Sequence, residues 1–227
     1  MEQSALFDEV DAPVPDAALP AGLPDGLDYT AGFLSVDEEA ALVDVIRALP
    51  LEAAVYKGYT ARRRVVSYGG SFDYDANRLR PTEPLVAVLH PLRARVAAWA
   101  GLREDALVHA LVAEYAPGTP LGWHRDVPDF EQVMGVSLGT PALLRFRPYP
   151  PVAPRAKDVV KLVAAPRSVY RMRGAARWGW QHSVAPVAAL RWSVTFRTAR
   201  RPGGRQGMDP GQGLGPGRDC PLPGDTA

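Results

Sequence analysis

Between residues 107 and 198 the chain is a succession of short β-rich runs, at 107–115, 133–138, 142–147, 158–163, 168–172 and 190–198. Turn signals separate them, among them Ala116-Pro117-Gly118 and Gly139-Thr140-Pro141. Strands so spaced suggest a sandwich or jelly roll. Upstream, Ser35-Val36-Asp37-Glu38 is a capping box and predicts a helix running to Leu49, before Pro50. Leu85, Val88, Leu89, Leu92 and Val96 recur at helical spacing and predict a second helix from Pro84 to Trp99. Val65-Val66-Ser67-Tyr68 reads as a strand ended by Gly69-Gly70. The expected class is α+β, mainly β, with the two helices packed outside the strands.

The 227 residues suit one domain. Residues 1–26, acidic and rich in Ala, Pro and Gly, read as a flexible arm, 27–200 as the domain, and 201–227 as a disordered Gly/Pro-rich tail. No apolar run reaches the ~18 to 20 residues of a membrane span. The acidic start lacks an apolar signal region, and Cys220 is the single cysteine, so a reducing cytoplasm is expected. Charge is segregated. Residues 1–50 carry eleven acids and one base, whereas residues 142–200 carry twelve bases and one acid. Such a basic body suits a polyanionic partner, although a solvated, internally paired face reads the same way.

Four histidines are available, so a metal site must borrow carboxylates. In Trp123-His124-Arg125-Asp126, an extended backbone points His124 and Asp126 to the same side. His182 offers a third ligand. Two His and one carboxylate with open positions form the facial triad of non-haem Fe(II) oxygenases. Alone, His-x-Asp is weak and also fits a surface pair. Arg191-Trp192-Ser193-Val194-Thr195-Phe196-Arg197 adds to it. On a strand, Arg191, Ser193, Thr195 and Arg197 share one face, while Trp192, Val194 and Phe196 share the other. Two guanidinium groups inside a barrel are costly unless they hold an anion, and a dicarboxylate would satisfy both.

This order of motifs resembles the AlkB family of 2-oxoglutarate- and Fe(II)-dependent dioxygenases. Ala113-Glu114-Tyr115-Ala116-Pro117-Gly118 is similar to the family's Asn-x-Tyr-x-x-Gly segment, and Leu144-Arg145-Phe146-Arg147 to a later strand, so the likeness spans residues 55–200. The resemblance implies a double-stranded β-helix, with Fe(II) on His124, Asp126 and His182. It implies that Arg191 grips the distal carboxylate of 2-oxoglutarate, aided by the Tyr115 phenol, with Ser193 on the same face and Arg197 near the carboxylate beside the keto group. The implied reaction consumes O2 and 2-oxoglutarate, gives succinate and CO2, and hydroxylates an N-alkyl carbon that leaves as an aldehyde. The implied biology is repair of alkylated DNA or RNA by a monomer.

Departures bear on the substrate. Ala113 stands where many members of the family have Asn, Ser193 where the DNA-repair members have Asn, and Pro128 where the prototype has a base-reading acid, a role Asp129 can take over. The segment 56–74 occupies the place of the family's substrate lid; Tyr68 would stack on a base and Arg62, Arg63 and Arg64 would meet phosphates, or the segment is an ordinary hairpin. Trp123 is a further substrate candidate, and Trp178 and Trp180 either wall the iron pocket or pack. His109 and His90 read as structural. Oxygenation of a protein or small molecule, and a non-catalytic interaction module, stay open beside base demethylation. Gln3-Ser4-Ala5-Leu6-Phe7 resembles the peptide that docks on the bacterial sliding clamp, with Gln3, Leu6 and Phe7 as contacts; folding back onto the domain is the alternative.

Overall fold

At Ser35 the capping box forms as its residues dictate. Ser35 Oγ accepts the Glu38 N–H at 3.1 Å, and the Glu38 carboxylate accepts the Ser35 N–H at 2.8 Å. Helix α1 (Val36–Arg47) follows. It ends two residues before the expected Leu49, because the Ala48 and Leu49 N–H groups already turn back three residues to Val45 and Ile46. This computed structural model describes residues 20–56, 59–73, 78–152 and 158–200. The segment with Gln3, Leu6 and Phe7 and the tail 201–227 lie outside the described residues.

Residues 20–26 correct the expected arm. The Asp25 carbonyl accepts the Ala176 N–H at 2.8 Å, the Gly26 carbonyl accepts the Arg173 N–H at 3.0 Å, and Leu23 packs on a core. Gly26 is needed there: its φ is +85°, and a Cβ would lie 2.2 Å from the Arg173 carbonyl oxygen.

The strands are β1 (Leu27–Thr30), β2 (Glu52–Tyr56), β3 (Tyr59–Tyr68), β4 (Ser71–Asp73), β5 (Arg78–Arg80), β6 (Leu107–Tyr115), β7 (Leu121–His124), β8 (Phe130–Gly139), β9 (Ala142–Pro148), β10 (Val160–Ala164), β11 (Ser168–Met172), β12 (Trp180–Val184) and β13 (Arg191–Ala199). Seven form one sheet in the order β1-β11-β8-β13-β6-β3-β2, and four form a second in the order β10-β9-β12-β7. A small β4-β5 hairpin stands apart. All six runs expected downstream of residue 106 are strands. The sequence marks no strand at the shorter β1, β2, β7 and β12; β7 and β12 carry Gly, His, Gln and Ser instead of the β-branched residues that favour one.

The two sheets are the walls of a jelly roll, and two cores result. Between the sheets lie Ala113, Tyr115, Leu144, Phe146, Leu162, Tyr170 and Val184. Behind the larger sheet, Ile46 of α1 and Leu92 and Val96 of helix α2 (His90–Trp99) pack on Val112, Val136, Trp192, Val194 and Phe196. Full burial of such side chains contributes about 1.5–3 kcal/mol each. Strand β13 therefore sends its three large apolar side chains to the helices and leaves Arg191, Ser193 and Thr195 buried between the sheets.

Helix α2 begins at His90, later than the expected Pro84, after a single 3-10 turn at Ala87–Leu89. Pro91 explains the delay: at the first turn it loses no hydrogen bond, whereas inside a longer helix it would clash with the preceding turn. Val88, expected on the buried face, is 58% exposed. Among the described residues no helix is long and apolar enough to cross a membrane.

Candidate active site

Strands β7 and β12 run antiparallel with His124 directly opposite His182, and the two rings lie 4.2 Å apart. The register slips here: two steps along β12, from His182 to Val184, match three along β7, from His124 to Leu121. This bulge breaks the period of two. It lets Leu121 join the inner core while His124 faces its partner histidine. Asp126 lies beyond the end of β7, in the turn toward β8, so the two ligands do not share one extended run as their i, i+2 spacing suggested. The turn still delivers it: the ligating atoms of His124, Asp126 and His182 all lie within 4.8 Å of one another.

Each ligand is prepared by its neighbours. His124 Nδ1 is 2.8 Å from the Gly122 carbonyl, which can only accept, so the proton sits on Nδ1 and Nε2 keeps its lone pair. Burial lowers the His124 pKa, and burial reinforced by His124 pushes His182 down to about 3, so both rings stay neutral. Asp126 is only 4% exposed. Burial would raise its carboxyl, but the positive charge of Arg197, with that of Arg177, overrides this and holds it ionised. Its Oδ1 accepts from Arg197 Nε at 2.8 Å, while Oδ2, turned toward His182, is buried without a hydrogen-bond partner. Two neutral imidazoles and one vacant carboxylate oxygen fit a divalent iron.

Two residues that sequence reasoning did not place in the site hold Asp126 from behind. Arg177 of the short helix α3 (Gly174–Trp178) is 3% exposed and donates through one nitrogen to the carbonyls of Asp126, Val127 and Phe130, at 3.1, 2.7 and 2.9 Å. Burial pushes its pKa down to about 10. A five-residue helix has no periodicity to reveal it. His109, read as structural, is buried, and its Nδ1 accepts from Arg197 at 3.1 Å. Burial and Arg197 push its pKa down to about 3. Arg197 is thus fixed between His109 and Asp126.

Arg191 is 1% exposed. Its Nε donates to Ser137 Oγ at 3.3 Å, its guanidinium lies 4.9 Å from the centre of the Tyr115 ring, and one terminal nitrogen is buried with no partner. A buried cation with an open donor is what a carboxylate would complete. Ser193 is buried beside it on β13, opposite Ala113 on one side and Ser137 on the other. Tyr170, which the sequence did not single out, fills the space over Gly135; burial pushes its phenol up to about 12. A Cβ at Gly135 would lie 2.4–2.6 Å from that ring. Gly135→Ala is therefore expected to displace Tyr170 and to destabilise the protein by about 1–3 kcal/mol, read by urea denaturation; an unchanged midpoint would mean the ring has room to move.

The decisive comparison is a match to the model described as the 2OG-Fe(II) oxygenase superfamily, over residues 28–201. The chain belongs to this superfamily. The enzymes of this family are iron- and 2-oxoglutarate-dependent dioxygenases. A viral relative, the uncharacterized protein L905 of Acanthamoeba polyphaga mimivirus, is 36% identical over 100 residues, covering 38% of this chain and 46% of the relative. The chain thus spans under half the length of that curated relative. Among solved structures, OsALKBH1 is similar with a TM-score of 0.61 at 17% identity, over 79% of this chain and 99% of that one. A 2OG-Fe(II) oxygenase family oxidoreductase from Burkholderia pseudomallei has a TM-score of 0.53, again at 17% identity, over 78% and 86%. Both share the fold.

Bound at this site, Fe(II) with 2-oxoglutarate and O2 would supply the oxidising chemistry. The chain's own groups do the rest: His124, Asp126 and His182 would hold the iron, Arg191 would anchor the far carboxylate of the keto acid, and Arg197 with Arg177 fixes the Asp126 ligand.

The substrate candidates fare unevenly. Successive residues of β3 alternate, so Arg62, Arg63 and Arg64 are not one patch. Arg64 faces outward to Glu114 at 3.6 Å, and Arg62 is exposed as well. Arg63 shares the side of Val65, which packs on the inner core, and its charge opposes protonation of His124. Tyr68 is a correction: it is buried in the helix-side core, away from the triad. Trp123 is another, for it lies on the outer face of the smaller sheet beneath Arg145 and Arg147. Asp129 is exposed, and its carbonyl accepts the Arg200 N–H at 2.8 Å. Trp178 donates to Glu131 at 3.1 Å, and Trp180 packs on the inner core.

Proposed function

We propose that this oxygenase removes alkyl groups from the nitrogens of nucleic-acid bases, hydroxylating the alkyl carbon so that it departs as an aldehyde. The observation that carries this reading is Arg63. It lies on the triad's side of β3, its Nε is buried, and no described residue bonds that nitrogen. With Arg191 reserved for 2-oxoglutarate and Arg197 for Asp126, Arg63 is a cation left over for the substrate, and a phosphate beside an extruded base suits it. The AlkB-like order of motifs and a fold shared with a protein named OsALKBH1 support the same reading.

The test is a panel of single- and double-stranded DNA and RNA oligonucleotides carrying N-methylated bases, with formaldehyde and succinate measured together. Release of both in equal amounts is expected. Succinate without formaldehyde across the panel would reject the substrate class. Arg63→Gln should raise the oligonucleotide KM by about tenfold or more, the scale of one charge-assisted hydrogen bond, whereas Arg64→Gln on the opposite face should not.

A further inference from the structure

The outer face of the four-stranded sheet carries charge that no carboxylate among the described residues pairs. Leu144, Phe146, Leu162 and Val184 take the inner side of β9, β10 and β12, so Arg145, Arg147, Lys161, Gln181 and Ser183 line the outer side. In this register Arg145 stands directly opposite Lys161. Like charges so placed on neighbouring strands repel and weaken the sheet. Arg145 donates to Ser183 Oγ at 3.0 Å and Arg147 to Gln181 Oε1 at 2.8 Å, both neutral acceptors. Neither these arginines nor Lys161 pairs with a carboxylate among the described residues. Several other arginines are neutralised by carboxylates: Arg171 and Arg173 share Asp28, Arg93 pairs with Glu104, and Arg95 with Glu38.

Trp123 adds a platform. Arg147 lies 4.4 Å and Arg145 5.4 Å from its ring centre, so the indole holds both guanidinium groups over its face. Trp123 also directly precedes the ligand His124, so this face begins at the strand end that delivers the metal site. Three interstrand spacings, about 14 Å, separate β7 from β10, which is room for several nucleotides.

We propose that this outer face binds the phosphate backbone of the nucleic-acid strand whose modified base enters the metal cavity, with Arg145, Arg147 and Lys161 meeting successive phosphates. This rests on the base-demethylase reading for the identity of the strand. Neutral acceptors leave the remaining guanidinium N–H groups available, and opposed cations that destabilise the free sheet become an advantage once phosphates lie between them. Binding releases counterions and is therefore steeply salt-dependent.

The experiment measures anisotropy of a labelled, unmodified 12-nucleotide single strand bound to the full chain between 50 and 200 mM salt. Arg147→Gln/Lys161→Gln is expected to weaken binding at least tenfold at low salt and to flatten the log–log slope by about 1.4, near 0.7 per lost contact. Lys161→Glu, at an exposed lysine that bonds no described residue, should weaken binding without touching the fold. Arg103→Gln, which removes an exposed arginine paired with Asp105, controls for overall charge and should leave the slope unchanged. Wild-type affinity and slope in the double variant and in Lys161→Glu would overturn the proposal. Slope loss in a protein that demethylates no oligonucleotide would sustain this face and reject the demethylase reading; demethylation with an unaltered slope would do the reverse.

Discussion

Lysine in place of Arg191 is expected to raise the KM for 2-oxoglutarate on the order of 30-fold to several hundredfold, a loss of about 2–4 kcal/mol, with a smaller effect on kcat. The guanidinium uses one N–H on Ser137 Oγ, lies on the Tyr115 ring and keeps a buried donor open. Lysine offers a point charge on a narrower stem; it can satisfy Ser137 or the carboxylate but cannot present a planar fork to both. A second readout is independent of turnover. A ligand that binds only the folded state stabilises it by RT ln(1 + [L]/Kd), about 2.7 kcal/mol at a hundredfold excess over Kd. With Mn(II) in place of iron, 2-oxoglutarate should raise the unfolding midpoint of the wild-type protein clearly and that of Arg191→Lys little at the same concentration. An unchanged KM together with an unchanged thermal shift would place the carboxylate site elsewhere.

Apart from His182, which the order of motifs supplies from a distance, the parts of this site that are legible in the sequence carry a signal that is local and regular. Strand β13 alternates two chemistries, and both of its faces are buried, so the alternation alone assigns Arg191 and Ser193 to one side. The capping box is legible for the same reason. The rest depends on departures from regularity or on distant chain segments. The bulge between Leu121 and His124 changes which side chains of β7 face inward, and Trp123 falls outside. Arg177 reaches Asp126 from 51 residues away. Tyr68, a lid aromatic by its place in the chain, belongs to the core that α1 and α2 build over the larger sheet. The arginine run at 62–64 suggests one patch only while its strand is ignored; on β3, consecutive residues point to opposite sides and divide the three charges between two faces.

Removal of Asp126 and removal of His182 should both abolish iron-dependent turnover, yet they should differ in the metal-free protein. His182→Ala deletes a neutral ligand; most metal affinity goes, and stability falls only by the cost of a small cavity. Asp126→Ala deletes the anion that Arg197 grips at 2.7 and 2.8 Å and that offsets the buried Arg177. Leaving buried cations uncompensated is expected to cost about 3–5 kcal/mol. Acid should expose the same effect. Burial opposes ionisation of Asp126, but the surrounding cations prevail, so its folded-state pKa lies below the ordinary 3.8. A group depressed in this way stabilises the fold above its unfolded pKa and ceases to do so as pH falls through the folded value. The stability gap between wild type and Asp126→Ala, measured by urea denaturation with chelator present, should therefore be full at pH 7 and narrow progressively below about pH 4. His182→Ala removes a buried neutral imidazole whose pKa is pushed down to about 3, so its own gap should narrow in a different window, beginning as pH falls below the ordinary 6.5 of an unfolded histidine. An Asp126→Ala protein as stable as wild type at pH 7, or a gap indifferent to acid, would show that the carboxylate is not the counter-charge of the site, and the assignment of Arg197 and Arg177 as its supports would fall with it.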